Sequence, residues 1–330
     1  MYRLLIVANS QSIHTKNLKT LVEGYFYDTI IVDSRQFSLF SPLKLLKSAL
    51  KTKKIIHSYQ PSFIILYQID VASWVVSLIK KRIPTLVVGI GSDILTIADK
   101  SFLHKMLVRG VIRRGNYFNA GSIAIKNKMQ RLANRPIDVV IANLGVDDIT
   151  PKPKQDIIFS NRLHKNLYNI DKIIAAFKLF IANPIRKDWL LIIASTGNED
   201  KLRSQVKELK IENNVKFVGW LDKKTNDYYY SISKIWISLP QSDSISISLL
   251  EAMSAECFPI CFDVPALKGF LEDKINAILI NNFENNFIER AFELDMQQIV
   301  KKNRLIARKF ADKNLNKQLF YNIFNQALRK

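Results

Sequence analysis

The sequence is short of acid. Its 330 residues set 29 Asp and Glu against 49 Lys and Arg, a formal net charge of +20 at pH 7. So positive a chain asks for an anionic partner, whether nucleic acid, an acidic membrane face or a phosphorylated substrate, and the charge alone does not choose among them. Cysteine is scarcer still. Cys257 and Cys261 cannot build a disulfide framework. They lie in an apolar stretch, AECFPICF, with none of the four histidines (His14, His57, His104, His164) nearby. They read as small buried hydrophobes in a reducing compartment, not as zinc ligands. The longest apolar stretch, Val71–Ile79, is far too short to span a bilayer. The opening MYRLLIVANS has neither the length nor the cleavage site of a signal peptide. The expectation is a soluble cytoplasmic chain able to touch membranes.

Missing motifs narrow the chemistry. No Gly-rich Lys-Ser/Thr loop argues for an ATPase, and no G-x-S-x-G elbow argues for an α/β-hydrolase. The first strand-to-helix loop, NSQSIHTKNL, carries His14 but no glycine, against a nicotinamide or flavin dehydrogenase. A lone loop histidine is more often structural than functional. No recognition module for nucleic acid is evident, so none is expected as partner. Asp-x-Asp is absent as well, which removes the usual cue for a divalent cation on a nucleotide diphosphate. No metal and no cofactor are expected; a bound diphosphate would have to be neutralised by protein cations and helix dipoles.

What is present is alternation. Apolar, β-branched runs at Leu4–Ala8, Thr29–Val32, Phe63–Tyr67 and Thr85–Val88 alternate with helical patterns at Lys16–Glu23, Leu43–Tyr59 and Val71–Lys81. After a polar, proline-bearing break at Asp147–Asp156 the alternation restarts. Strands are predicted at Ile157–Phe159, Leu190–Ala194, Val215–Val218 and Ile235–Ser238, and helices at Ile170–Ile181, Leu202–Leu209 and Thr225–Ser231. Runs without polar alternation fit strands covered on both faces, hence parallel sheets. The chain therefore reads as α/β, two Rossmann-like domains with a cleft between them, followed by a helical tail from Met296. The expected divisions are 1–150, 151–310, and a C-terminal helix, 311–330, packing back on the first domain.

The densest chemical signal is QSDSISISLLEAM, Gln241–Met253, between a predicted strand and a helix beginning near Ser246. Hydroxyls and amides at a helix N-terminus suit a phosphate. A carboxylate one or two turns in, Glu251, can accept two hydrogen bonds from a vicinal diol. The competing reading makes Asp243 or Ser244 a helix cap and Glu251 a solvated helix residue. A second signal is the loop after Ile157–Phe159, where Arg162, His164 and Lys165 stand at a strand's carboxyl end. Such cations suit a diphosphate, or simply form a solvated basic loop. In the first half, Gly89, Gly91, Ser92 and Asp93 follow a strand directly; they make a plain turn or the edge of a site.

These residues resemble the retaining glycosyltransferases of family 4, which have the GT-B fold: two Rossmann-like domains whose parallel sheets face each other across a cleft. SDSISISLLEAM resembles that family's acid-x7-acid motif, and SNRLHKN its R-L-x-x-x-K loop. AECFPICFDVPALKGFLEDKINAILI resembles its G-x-x-P-I-x-x-D-x-P region. NSQSIHTKNL, GSDIL and NLGVDDI match weaker first-domain patterns. The resemblance is strong over Ile157–Ile280 and loose before it. It implies a nucleotide-diphosphate sugar as donor, a UDP-sugar above others, with a hexose or related sugar transferred. Glu251 would hold the ribose, Asp243 the sugar hydroxyls, and Arg162 and Lys165 the diphosphate. The Ser244–Ser248 segment would add its groups, with the amides of Ser246, Ile247 and Ser248 on the phosphates. Asp93 would lie beside acceptor or sugar, near His14 and Ser92. The implied acceptor is a lipid-linked or other saccharide of a surface polysaccharide. The sequence also departs from the pattern: Asp243 replaces a longer Glu, Glu256 and Ala277 stand where glycines are common, and Gly269 replaces a Glu. A non-catalytic relative that binds a sugar or a partner is the competing expectation.

Charge adds one more expectation. Residues 41–135 hold seventeen Lys and Arg against Asp70, Asp93 and Asp99. Leu43, Leu46 and Leu50 share one helical stripe beside Lys47, Lys51 and Lys54; Lys105, Arg109 and Arg113 recur four apart beside Phe102, Leu103 and Met106. These read either as membrane-facing amphipathic helices or as core-packed helices with solvated backs. The first reading places the chain peripherally on the inner, anionic face of the cytoplasmic membrane.

Overall fold

Strands here are apolar at nearly every position, because both faces of each sheet are covered. The computed structural model describes residues 1–283 and 286–329; Glu284, Asn285 and Lys330, which fall within the expected second domain and tail, lie outside the described residues. The chain divides into two units, residues 1–145 with 313–329, and residues 146–312.

The first unit runs β1 (Arg3–Ala8), α1 (Ile13–Val22), β2 (Asp28–Asp33), α2 (Pro42–Tyr59), β3 (Phe63–Tyr67), α3 (Val71–Ile79) and β4 (Thr85–Gly89). Then come α4 (Ser92–Leu95), α5 (Ile97–Lys100), α6 (Phe102–Arg114), β5 (Tyr117–Ala120), α7 (Ile123–Ala133) and β6 (Val139–Ile141). The second contains β7 (Gln155–Ser160), α8 (Ile170–Ile181), β8 (Leu190–Ala194), α9 (Glu199–Glu208), β9 (Val215–Gly219) and α10 (Lys223–Ile232). It continues with β10 (Ser233–Ser238), α11 (Ile247–Ser254), β11 (Phe258–Phe262), β12 (Ile278–Ile280) and α12 (Met296–Ala311). A last helix, α13 (Lys313–Leu328), belongs to the first unit.

Both sheets have six parallel strands, in the orders β2-β1-β3-β4-β5-β6 and β12-β11-β10-β7-β8-β9. The expected pair of doubly wound α/β units is what the chain forms. Alternation within each strand splits the core. In the second unit Ile158, Ile235 and Ile237 pack on one face, and Ile157, Phe159 and Trp236 on the other. In each sheet the order reverses once, beside β1 in the first and between β7 and β10 in the second. Loops leaving the carboxyl ends of those strands diverge there, and ligands of open α/β sheets bind at such points.

The polar segment 147–156 is fastened to the second unit. Lys152 N donates to Ser231 O, Ile149 N to Ser254 Oγ, and the Arg304 guanidinium to the Ile149 and Ser254 carbonyls and to Asp148. Where the chain returns to the first unit, Gly145 has φ +71° and a Cβ there would sit 2.7 Å from the Lys313 Cα, so only glycine fits. Helix α13 then packs on the first sheet: Phe324 meets Phe26 and Phe63 edge-on, and Tyr2 Oη donates to Leu328 O. Both cysteines are buried, as their apolar stretch predicts, and burial pushes the Cys257 thiol up to about 11.

Candidate active site

The reversal between β7 and β10 places two loops side by side, 161–169 and 239–246. A salt bridge joins them: Arg162 Nη2 lies 2.5 Å from Asp243 Oδ2, and the two side chains are 11% and 24% exposed. The Tyr168 ring lies 4.6 Å from the guanidinium carbon. The other Asp243 oxygen accepts from Ser244 N. Asp243, Ser244 and Ser246 line a small recess backed by Cys261, Phe262 and Leu267.

Ser246 is the N-cap of α11, its hydroxyl accepting from Leu249 N. Neither Asp243 nor Ser244 caps the helix. The amides of Ile247 and Ser248 open its first turn, where partial positive charge gathers. Glu251 follows one turn later. It is buried, not solvated. Lys223 Nζ lies 3.5 Å from its carboxylate, and Tyr230 makes a side-chain hydrogen bond to it. Burial, above all, raises the Glu251 carboxyl above the ordinary glutamate value; nearby Asp227 adds to this, while Lys223 and Tyr230 oppose it. Tyr230 is itself fixed: its hydroxyl accepts from Asn161 Nδ2 at 2.7 Å, and Asn161 Oδ1 accepts from Trp236 Nε1.

Of the three cationic residues after β7, only two remain available to a ligand. Lys165 is exposed and Arg162 is at the loop junction. His164 is buried, its Nε2 3.2 Å from Ala194 O and its backbone paired with the turn at Thr196–Gly197. Sequence reading missed Lys223, Tyr230 and the exposed Trp220 just beyond β9. The only local cue for Lys223 is its i,i+4 pairing with Asp227 behind the Asp222 cap.

In the first unit, His14 and Ser92 are exposed near the carboxyl ends of β1 and β4. Asp93 requires a correction. It is fully buried, and its carboxylate accepts from Ile69 N (3.0 Å), Gly91 N (2.8 Å) and Ile90 N (3.2 Å). Its oxygens close the Gly-rich turn and present nothing to acceptor or sugar. Asp93→Asn keeps the size but sets amide hydrogens against those donors, so the first unit is expected to lose about 1–3 kcal/mol. Urea unfolding reads that loss, and nucleotide affinity is expected to stay unchanged.

The membrane-facing expectations divide similarly. Lys47, Lys51, Lys54, Lys105 and Arg113 are exposed. Arg109 is half-buried with its Nε shielded from solvent, so it does not project with them. The leucine stripe of α2 is not core: Leu43 is 75% exposed, with Leu46 and Leu50 also exposed, and it is Thr52 and Ile56 that turn inward.

The family model for glycosyl transferases group 1 matches residues 147–309, the span that holds the salt bridge, the capped helix and Glu251. A Haemophilus influenzae protein described as an uncharacterized glycosyltransferase is 26% identical over 289 residues, covering 86% of this chain and 70% of the relative. Anabaena Alr3699/HepE, solved in complex with UDP-glucose, superposes with a TM-score of 0.77 at 16% identity, over 99% of this chain and 100% of that one. Sucrose-phosphate synthase from Thermosynechococcus elongatus gives 0.78 at 12% identity, over 99% of each chain. Both structures have the fold described above, which is GT-B. The chain is a glycosyltransferase. Two departures from the family pattern have a visible form in this glycosyltransferase: Glu256, where glycine is common, takes φ +61° just beyond Ala255, the C-cap of α11, and Gly269 takes φ +76°.

Proposed function

We propose that this glycosyltransferase is a family 4 enzyme that moves a hexose or related sugar from a UDP-sugar to a saccharide or lipid-linked acceptor, with retention, in surface-polysaccharide assembly. One observation carries the donor assignment: a cationic loop, a helix N-terminus and a buried carboxylate meet at the sheet's reversal point. The Glu251 carboxylate has two oxygens for a ribose diol. Arg162, Lys165 and the first amides of α11 supply positive charge for the diphosphate, and Asp243 an acceptor for sugar hydroxyls. As the glycosidic bond breaks, negative charge grows on the leaving phosphate, and donors already aimed there lower the barrier. That phosphate can take the acceptor's proton on the same face, so retention needs no separate protein base. This account routes no step through a metal, and turnover is expected to survive a chelator. His14 and Ser92 are proposed as acceptor contacts. HepE's complex with UDP-glucose supports uridine as the donor base. A thermal-shift screen of nucleotide-sugars tests this, since a ligand raises apparent stability by mass action. Stabilisation by UDP-sugars is expected; stabilisation by other nucleotide-sugars alone would overturn the choice of base.

The same reading places the protein on an anionic membrane face. The described residues hold no helix long and apolar enough to cross a membrane. The segments that follow β2 and β4 in the first unit expose large apolar side chains beside lysines. Phe40 is 100%, Phe102 74% and Leu103 77% exposed, with Leu39, Leu43, Leu46 and Met106 also open. Exposed apolar side chains grouped beside cations suit an interfacial role. Lys and Arg near an anionic leaflet are each worth about 1 kcal/mol, and salt screens them. Co-sedimentation with anionic vesicles is expected, and binding to neutral ones is expected to be weak. Charge reversal at Lys47, Lys51 and Lys54, or serine at Phe40, Leu43 and Phe102, is expected to release the protein while donor hydrolysis continues. Equal binding to both vesicle types, or to neither, contradicts the membrane reading.

A further inference from the structure

We propose that the Arg162–Asp243 salt bridge is a latch on the donor site, one that the diphosphate must open before the sugar can be held. This rests on the donor-site reading above. The two residues sit on the loops that flank the reversal between β7 and β10, and Asp243 gives one carboxylate oxygen to Arg162 and the other to Ser244 N. The cation proposed for the diphosphate is thus neutralised by the acid proposed for the sugar. A diphosphate approaching Arg162 meets a competing carboxylate of its own sign. Once it takes the guanidinium, Asp243 Oδ2 is released toward the recess that Ser244 and Ser246 also line. Opening the latch thus couples phosphate capture to sugar capture.

The guanidinium does not depend on the carboxylate for its place. Tyr168 lies against it at 4.6 Å, and a ring face holds a guanidinium without neutralising it. Loss of the Asp243 charge therefore frees Arg162 without setting it adrift. A carboxylate that only held the sugar would repel the diphosphate to the same extent whether or not Arg162 is present.

UDP, which has the diphosphate and no sugar, separates these cases. Calorimetric titration of UDP is compared among the wild type, Asp243→Asn, Arg162→Ala and the double variant, each checked for an unchanged thermal melt. Asp243→Asn is expected to bind UDP about three- to tenfold more tightly, the scale of a partly exposed ion pair plus relief of like-charge repulsion. The same change in the Arg162→Ala background is expected to bring a smaller gain, from relief of like-charge repulsion alone, and an equal gain in both backgrounds overturns the latch. Tighter UDP binding is expected alongside slower sugar transfer. Unchanged or weaker UDP affinity in Asp243→Asn, with Arg162→Ala still defective, overturns the latch and leaves the donor site standing. Wild-type UDP affinity in Arg162→Ala overturns the phosphate assignment and the latch together.

Discussion

Alanine at Arg162 and Lys165 together is expected to slow sugar transfer by about 10²–10³-fold, the scale of removing donors aimed at developing charge. Affinity for UDP should fall by less, because charge on the diphosphate is greatest as the glycosidic bond breaks. The asymmetry follows from position. Arg162 stands at the end of β7, at the reversal point, and Lys165 is exposed on the same loop. His164, between them, is turned inward and holds the loop to its neighbour after β8. His164→Ala is therefore a control that perturbs the loop without removing a ligand cation. Steady-state kinetics with a UDP-sugar read the split between kcat and KM. Normal transfer by the Arg162, Lys165 double variant would mean that the diphosphate is held elsewhere.

Glu251→Ala is expected to cost at least about tenfold in nucleotide affinity, since each charge-assisted hydrogen bond to a diol is worth roughly 1.5–3 kcal/mol. The pH dependence has a definite sign. Burial raises this carboxyl above the ordinary glutamate value, and only the ionised form offers both oxygens as acceptors. UDP affinity should thus decline on acidification at a pH higher than an unperturbed glutamate would give. Lys223 faces the carboxylate at 3.5 Å and opposes the rise, whereas Asp227 promotes it and Tyr230 opposes it. Lys223→Met should move the decline to still higher pH, and Lys223→Arg should restore it. A flat pH profile in the wild type would remove Glu251 from the diol.

Where sequence and structure agree, the reason is burial on both faces. Phe63–Tyr67 is an uninterrupted apolar run between Ser62 and Gln68, Leu190–Ala194 is one that ends at Ser195, and each forms a strand. Ser246 precedes an apolar helix, and it caps that helix. The strand Tyr117–Ala120 was not legible, because Asn119 interrupts its pattern. In the fold that side chain donates to Val140 O and Ala142 O and so does the work of a ladder. The salt bridge at the site joins residues 81 positions apart, and Lys223 meets Glu251 across 28; no local spacing encodes either pairing. Asp93 shows the converse. An acid in a Gly-rich turn at a strand's carboxyl end looks the same in sequence whether it binds a ligand or its own backbone. Only its burial against the Ile69, Ile90 and Gly91 amides decides for the backbone.

A crystal structure with UDP bound tests the central claim most directly. The account predicts the ribose diol on the Glu251 carboxylate, the diphosphate on Arg162, Lys165 and the first amides of α11, and Arg162 parted from Asp243. A nucleotide seated away from the carboxyl edge of the second sheet, or one that leaves Glu251 without a ribose contact, would contradict it.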